Sequence, residues 1–544
     1  MKLSRRSIVQ NKSEWEKLGY TLPEYNIDEM IKKTSENPIW VHFGAGNIFR
    51  AFPAAVCQKL LNKGIMDRGI IVAEGYDYEI IDKSFKDFDN LTISVTLNTD
   101  GTVSKEVIAS VAEALTFDFD NETDTERLKE IFSSKSLEMA SFTITEKGYN
   151  LKDTKGEFYD GVKADFEKGP ENAKTYMGRL AALLYHRYKN GARPITLVSM
   201  DNCSHNGIKL KESVYEFAKS WVNNLLADGE FLPYIQYSVS YPCSMIDKIT
   251  PRPSDEVLKI LEADGIENAA PVETKKHTFV APFVNAEKYQ YLVIEDSFAG
   301  GKPPLNEGGI IYTSAETVDK AEKMKVCTCL NPLHTCLAIY GCLLGYNKIS
   351  DEMKDDNLVK LIKKIGYDEG LPVVVDPGII SPKEFIDETI NERLPNPFIP
   401  DAPQRIACDT SQKLPIRFGE TIKAYEKLDK IKELKFIPLV LAGWCRYLMG
   451  IDDSGNVFEP SPDPMLDYAG GIVKDIEFGC TDLDSIHNKI EKLLKDKKIF
   501  GVDLYEVGLG QLVEKYFSEL NAGPGAVKLS LIHISEPTRL ALIS

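Results

Sequence analysis

The chain has 544 residues, of which 43% are hydrophobic and 27% charged, as is usual for a water-soluble globular protein. Its formal net charge of −17 argues against a nucleic-acid partner and against an anionic membrane surface. The length predicts two domains. Three observations predict a cytoplasmic protein: the ten cysteines lack Cys-x-x-Cys spacing, the start carries no secretory signal, and the longest apolar stretch (436–445) is too short to span a bilayer.

The predicted elements change character along the chain. Residues 1–35 indicate polar turns and a short helix. From residue 39 to about 296, strand-like and helix-like segments alternate, as in a parallel or mixed sheet with helices on both faces. The strand candidates are 69–74, 92–97, 140–145, 195–200, 235–240 and 290–295. The segment 300–309, dense in glycine and proline, predicts a linker. Helical periodicity dominates afterwards, at 326–344, 354–365, 383–391, 417–433, 436–449, 483–497 and 504–520.

These patterns predict an α/β N-terminal Rossmann-type domain over 1–300 and a mainly α-helical C-terminal domain over 308–528. The last residues need a separate interpretation. The helical pattern stops near Gly523 and Gly525, and residues 529–539 resemble a translated sequencing-library adapter. We therefore expect 529–544, including His533, to be an artefact tail without a role in fold or function.

The most informative local motif joins an apolar run, 38–43, to a helical pattern, 52–64, through Gly44, Ala45 and Gly46. A strand that enters a helix through small residues points backbone N–H groups and the positive helix end at an anion, which is how a dinucleotide is held. The third glycine of the usual motif is absent, with Phe49 in its place. A second buried strand ends in Glu74. An acid there suits a ribose 2′-hydroxyl and favours NAD over NADP, although Asp77 would serve as well.

A second cluster consists of Lys325, Asn331 and His334 at the head of an apolar helix. Oxidation of an alcohol needs a group that takes the hydroxyl proton and donors that steady the developing alkoxide. Asn331 and His334 share one helical face, but Lys325 lies well off that face in a regular helix. Two geometries would place Lys325 near Asn331 and His334. In the first, Asn331 is an N-cap and Lys325 lies on a separate preceding segment; in the second, one extra residue forms a π-bulge. A solvated lysine and a core histidine are the plain alternative.

Polar residues also follow three strand candidates, where an α/β sheet binds its ligands. Together with the glycine turn and the lysine cluster, they resemble, in this order along the chain, the polyol-specific long-chain dehydrogenases, that is, the mannitol dehydrogenase family. The match spans roughly residues 41–413. Its pieces are Gly44 to Arg50, Thr145 to Tyr149, Ser199 to Asn202 with Asn206 and Gly207, Asp247 to Pro251, Ile294 to Phe298 with Gly301 to Pro303, and Asn331 to Thr335.

The resemblance implies metal-independent hydride transfer with NAD and assigns roles by position. The catalytic residues would be Lys325 as acid or base, Asn331 and His334 as holders of the reacting oxygen, and Glu322 at a proton exit. The substrate would be bound by Asn202, Asp247, Lys248, Arg405 and Lys413. The cofactor would be bound by Gly44, Ala45, Gly46, Asn47, Ile48, Arg50, Glu74, Asp77, Thr145, Glu146 and Lys147.

Three positions depart from the family pattern. The family usually has the lysine five residues before the asparagine, whereas the spacing here is six. Pro332 stands where a small residue is common, and Lys248 where arginine is common.

The sequence most resembles the hexuronate-reducing members, which implies NAD-dependent interconversion of a ketohexuronate and its hexonate, D-fructuronate and D-mannonate. Cations at 248, 405 and 413 would suit a substrate carboxylate. A mannitol or other polyol 2-dehydrogenase, an NAD-retaining sugar-acid epimerase and a catalytically silent sensor are the alternatives. We expect a small-molecule sugar acid or polyol as the substrate, and a monomer or small homo-oligomer.

Overall fold

The computed structural model describes residues 1–535. The chain folds into two compact units, Met1–Asp319 and a second that begins at Lys320. The division lies beyond the predicted linker at 300–309, because that segment packs on the first unit through a 3-10 turn, Leu305–Gly308.

The first unit contains all strands of the described residues. They are β1 (Tyr20–Thr21), β2 (Trp40–Phe43), β3 (Ile70–Glu74), β4 (Thr92–Leu97), β5 (Val103–Ile108), β6 (Val111–Thr116), β7 (Met139–Phe142), β8 (Ile195–Ser199), β9 (Val239–Ser240), β10 (Ser244–Asp247), β11 (Val272–Glu273), β12 (Phe279–Val280), β13 (Phe283–Ala286), β14 (Tyr291–Glu295) and β15 (Ile311–Thr313).

Helices of the first unit connect these strands. They are α1 (Arg5–Gln10), α2 (Lys12–Lys17), α3 (Ile27–Glu36), α4 (Asn47–Ala51), α5 (Pro53–Asn62), α6 (Glu122–Ser133), α7 (Asp160–Lys168), α8 (Tyr176–Lys189), α9 (Asn206–Asn223), α10 (Phe231–Tyr237) and α11 (Asp255–Ala263). A π-helix, Ile81–Phe85, lies between β3 and β4.

The main sheet has six parallel strands in the order β6-β3-β2-β7-β8-β9. This is the doubly wound Rossmann order, with the chain reversing direction across the sheet beside its first strand, β2. Every residue of β2 and β3 is buried, as expected for strands covered by helices on both faces. The predicted Rossmann-type domain is therefore confirmed.

Smaller sheets flank this core. One has the order β1-β5-β4-β13, another β10-β14-β15, and β11 pairs with β12 in an antiparallel hairpin. The predicted strand 235–240 is confirmed only at its last two residues, which form β9, and is wrong before them, since residues 231–237 form α10. The polar segment 1–35 holds three helices instead of one.

The described residues of the second unit form helices joined by loops, with one isolated β-bridge between Ile451 and Val457. Its helices are α13 (Asn331–Leu344), α14 (Ile349–Glu352), α15 (Asp356–Lys363), α16 (Pro382–Glu388), α17 (Pro403–Ile406), α18 (Thr410–Leu414), α19 (Glu420–Lys427), α20 (Phe436–Tyr447), α21 (Gly471–Lys474), α22 (Leu483–Leu494), α23 (Lys497–Phe500), α24 (Gly510–Leu520) and α25 (Ala526–Ser535), preceded by α12 (Ala315–Met324), which begins at the end of the first unit. The predicted mainly helical C-terminal domain is confirmed.

Among the described residues, the helical stretch Ala315–Leu344 is long and apolar enough to cross a bilayer, whereas 436–445 is too short. However, 72% of the most apolar 18 residues of this stretch are buried inside the protein, as in a core helix. At the other end, helix α25 contradicts the expectation that helical structure stops at Gly525. Its Leu531 is only 1% exposed, so the first part of the predicted artefact tail is packed. Residues 536–544 of that tail lie outside the described residues.

Candidate active site

The glycine turn follows β2 and leads into α4. Gly44 has φ +105°, and a Cβ there would lie 2.2 Å from the Thr143 carbonyl oxygen, so only glycine fits. At Gly46, the N-cap of α4, a Cβ would meet no atom within 4 Å. The turn therefore has open space next to a backbone that no side chain caps, as binding a pyrophosphate requires.

The two candidate acids after β3 have different surroundings. Glu74 accepts a hydrogen bond from the Ala45 N–H at 2.8 Å, and its other oxygen accepts from the N–H groups of Tyr76 and Asp77 at 2.8 and 3.1 Å. Asp77 instead accepts from the Thr274 hydroxyl at 2.6 Å and is 3% exposed. Glu74 is thus the acid at the glycine turn, and Asp77 holds the β11–β12 hairpin.

The remaining residues of the turn motif, Asn47, Ile48 and Arg50, differ in their surroundings. Ile48 is half-buried, and Asn47 donates to the Pro251 carbonyl at 3.1 Å. Arg50 is 2% exposed and donates to the Ala281 carbonyl at 2.7 Å and to Asn47 at 2.9 Å. Burial lowers the pKa of its guanidinium to about 9. Arg50 therefore braces the interior of the unit, a placement that favours a structural role over the predicted cofactor contact.

The loop after β7 carries Thr145, Glu146 and Lys147, all exposed. Thr145 has φ +65° and ψ 160°, a conformation that side chains rarely adopt.

Asp201, which sequence reasoning missed, stabilises this loop. Its carboxylate accepts from the N–H groups of Ile144 and Thr145 at 3.0 and 2.8 Å and from the Tyr149 hydroxyl at 2.5 Å. Burial raises the pKa of this carboxyl. Its position two residues after β8 was the available signal.

Three predicted substrate-binding residues lie in the first unit. Asn202 is exposed in the turn after β8, and Asp247 ends β10 with 8% exposure. The Lys248 ammonium donates to the Glu287 carbonyl and the Gln290 side chain, both at 3.0 Å.

In the second unit, Lys325 begins a π-helix, Lys325–Cys329, and is 2% exposed. The π-bulge alternative is therefore confirmed. Leu330, with φ −125° and ψ −61°, also separates the π-helix from α13, as the separate-segment alternative required. Asn331 is the first residue of α13 and not its N-cap, which is Leu330. The plain alternative of a solvated lysine is wrong as well.

Helical geometry shows what the π-helix does. Nine residues at about 100° each would put Lys325 about 180° from His334, on the opposite face. Because a π-turn accommodates one extra residue, the effective separation in a continuous helix would be eight residues, which is about 80°. Glu322, one turn earlier, is half-buried.

His334 lies among cations. Burial is the main cause that lowers its pKa to about 3, followed by the charges of Arg417, Arg405, Arg393 and Lys413. Its Nε2 is 3.2 Å from the Asp401 carboxylate, which opposes this shift, but the angle is not that of a hydrogen bond and Asp401 also pairs with Arg405. The imidazole is therefore neutral at physiological pH.

The four cations are not equivalent. The Arg405 side chain is 66% exposed and pairs with Asp401, whereas Lys413 donates to the main-chain carbonyls of Ile406, at 2.9 Å, and Cys408. Arg417 is partly buried and donates to the Thr335 hydroxyl, and burial lowers its pKa to about 10. Among residues 1–535, no carboxylate pairs with Arg417. Arg393 is 4% exposed.

Sequence reasoning missed Arg393 and Arg417. The signal for Arg417 was its place four residues after Lys413, one helical turn further along the same face. Within the described part of the chain, no three His, Cys, Asp or Glu side chains group as metal ligands would.

A Rossmann sheet with an open glycine turn is the fold of a dinucleotide-dependent dehydrogenase, and the helical unit adds a buried lysine nine residues before a histidine. Family models agree. The mannitol dehydrogenase Rossmann domain matches residues 38–307 and the mannitol dehydrogenase C-terminal domain residues 317–520. The chain belongs to the mannitol dehydrogenase family, whose members are oxidoreductases that act on CH–OH groups.

Individual relatives extend the match to the whole chain. A D-mannonate oxidoreductase of Thermotoga maritima is 53% identical over 535 residues, covering 98% of both chains. The structure of a D-sorbitol dehydrogenase superposes with a TM-score of 0.78 at 27% identity, covering 94% of this chain and 97% of that one. The mannitol 2-dehydrogenase of Pseudomonas fluorescens, solved with NAD and D-mannitol, gives 0.70 at 25% identity, with coverages of 98% and 99%.

Proposed function

We propose that the protein is an NAD-dependent oxidoreductase that interconverts D-fructuronate and D-mannonate. The observation that carries this proposal is Lys325, which is 2% exposed at the start of a π-helix that precedes Asn331 and His334. The 53% identity with a D-mannonate oxidoreductase over 98% of both chains supports the choice of substrate.

The first unit supplies the cofactor site. The open space at Gly46 leaves room for a pyrophosphate, and the Glu74 carboxylate at the turn suits a ribose diol and repels a 2′-phosphate. When bound, the nicotinamide accepts a hydride during oxidation of the hexonate and returns one during reduction of the keto acid.

The second unit supplies the proton chemistry. In oxidation, Lys325 takes the proton of the substrate hydroxyl. In reduction, it gives a proton to the carbonyl oxygen. A lysine must be neutral to accept a proton, and burial favours the neutral amine. Asn331 and the neutral His334 donate hydrogen bonds to the reacting oxygen, and Glu322 passes the proton on to solvent.

The cations near His334 favour a sugar acid over a neutral polyol. In a chain of net charge −17, the Arg417 guanidinium is partly buried close to the His334 imidazole, and no carboxylate of residues 1–535 pairs with it, which is costly unless an anion binds there. A substrate carboxylate supplies that anion. Asn202, Asp247 and Lys248 contribute contacts to the substrate hydroxyls. We further propose a cytoplasmic monomer or small homo-oligomer, without nucleic-acid or membrane partners.

The test is NADH oxidation by the purified protein with D-fructuronate, D-tagaturonate and D-fructose, in the wild type, Lys325→Ala and Lys323→Ala. The second variant removes an exposed lysine two residues away and is the matched control. General acid–base catalysis contributes about 10²- to 10⁴-fold, so Lys325→Ala should lose at least about 10²-fold in kcat with NADH affinity unchanged. D-Fructuronate should be the preferred substrate, and Lys323→Ala should behave as wild type.

Other outcomes point to other functions. Preference for D-fructose would indicate a polyol 2-dehydrogenase. Turnover of a sugar acid without net change in NADH would indicate an epimerase. Full activity of Lys325→Ala would remove the lysine from the mechanism.

A further inference from the structure

An exposed aromatic ring stands directly after the glycine-turn acid. Tyr76 lies two residues beyond Glu74 and is 65% exposed. Its backbone is fixed, because its N–H donates to Glu74 at 2.8 Å. The same Glu74 carboxylate accepts from the Ala45 N–H, so a single side chain connects the glycine turn to Tyr76.

The β11–β12 hairpin packs over this residue. The Lys276 ammonium donates to the Tyr76 carbonyl at 2.6 Å and lies 4.2 Å from the centre of its ring. Thr274, at the base of the hairpin turn, donates to Asp77 at 2.6 Å. Lys275 points away, 92% exposed, toward Glu79 at 3.9 Å. Hydrogen bonds to Tyr76 and to Asp77 thus hold the hairpin against this segment.

The order of groups in a dinucleotide matches the order of these residues. A pyrophosphate at the glycine turn and a ribose at Glu74 put the purine beyond the ribose, away from the turn. Tyr76 lies two residues beyond Glu74, the last residue of β3. Its ring is rigid, largely open to solvent, and contacted by a cation, which are the properties of a stacking platform for a base.

We propose that Tyr76 and the β11–β12 hairpin form the adenosine subsite, in which the purine stacks on the Tyr76 ring and Lys276 holds that ring and the hairpin in place. This inference rests on the proposed function, since it assumes that the glycine turn binds NAD. It assigns a binding role to a hairpin that the hydride-transfer chemistry does not otherwise use.

The test measures affinity rather than turnover. NADH and ADP-ribose are titrated into the wild type, Tyr76→Ala, Tyr76→Phe and Tyr237→Ala, and reduced nicotinamide mononucleotide, which lacks adenosine, is titrated in parallel. Tyr237 is 77% exposed in the same unit and is the matched control. Loss of one base–aromatic stack should weaken NADH and ADP-ribose about tenfold in Tyr76→Ala. Tyr76→Phe and Tyr237→Ala should stay within about twofold of wild type, and no variant should change the mononucleotide affinity.

A second pair isolates the hairpin. Lys276→Met should weaken ADP-ribose about threefold or more, because a cation–π contact is lost, whereas Lys275→Met removes the same charge one residue away without effect. Unchanged ADP-ribose affinity in Tyr76→Ala would overturn the adenosine subsite, as would an equal loss for the mononucleotide. If the wild type binds neither NADH nor ADP-ribose, the proposed function itself falls.

Discussion

Replacing Arg417 by methionine removes a charge while keeping most of the side-chain volume. Only one of its five N–H donors is engaged, by the Thr335 hydroxyl, and no carboxylate of residues 1–535 pairs with it. If the remaining donors bind the substrate carboxylate, the variant loses one charge-assisted interaction of about 1.5–3 kcal/mol. That corresponds to a fall of roughly 10- to 150-fold in kcat/KM for D-fructuronate.

The assay compares initial rates of NADH oxidation with D-fructuronate and with D-fructose in the same protein samples. D-Fructose has no carboxylate, so its kcat/KM should stay within about threefold and serves as the internal control. Arg417→Lys keeps the charge without the planar fork and should retain part of the activity. An equal loss with both substrates, at an unchanged melting temperature, would refute the reasoning, since it would mean that Arg417 positions His334 or Thr335 and does not read the carboxylate.

Three further predictions concern His334, the π-helix and Glu74. The pKa of His334 in the folded protein, about 3, lies below the ordinary 6.5, so the stability that the neutral imidazole contributes is present above pH 6.5 and is lost as the pH falls toward 3. NMR should therefore show no titration of the His334 ring between pH 5 and 8. His487, whose pKa is raised by its hydrogen bond with Glu514, should titrate above 6.5 and is the control. A midpoint near 6.5 for His334 would contradict its burial among the neighbouring cations. Deleting Cys327 should turn the π-helix into a regular helix, restore the five-residue spacing between lysine and asparagine, and keep kcat within about tenfold of wild type. Inserting alanine after Cys327 should abolish activity. If the deletion variant is folded but inactive, the π-helix does more than accommodate one extra residue. Glu74→Gln should lower the preference for NAD over NADP by roughly tenfold, measured as a ratio of dissociation constants, and an unchanged ratio would remove Glu74 from ribose recognition.

Local patterns predicted the parts of the site that depend on neighbours in sequence. The glycine turn follows from small residues between a strand and a helix, and the position of Glu74 from the end of a buried strand. The π-helix was one of two geometries that helical periodicity allowed. In contrast, the segment 235–240 was predicted as a strand although residues 231–237 form α10, because short apolar runs do not distinguish a buried helix from a strand.

Features that depend on tertiary contacts were missed. Arg50 belongs to the turn motif, yet its guanidinium reaches the Ala281 carbonyl, which is distant in sequence. Arg417 and Arg393 look like ordinary surface arginines in the sequence, and only packing brings their charges near His334. The choice between Glu74 and Asp77 likewise required coordinates, because Asp77 is engaged by Thr274 from a hairpin almost two hundred residues later.

The most direct test of the proposed function follows a deuterium label from NADH to the product. D-Fructuronate is incubated with the purified protein and NADH carrying deuterium at the transferable position, and the product is identified by mass spectrometry and NMR. Hydride transfer to the ketone predicts D-mannonate with one deuterium, on the carbon that carried the ketone, and one NAD⁺ formed per product molecule. Recovery of unlabelled sugar acid, or no D-mannonate from a protein that binds NADH, would contradict it.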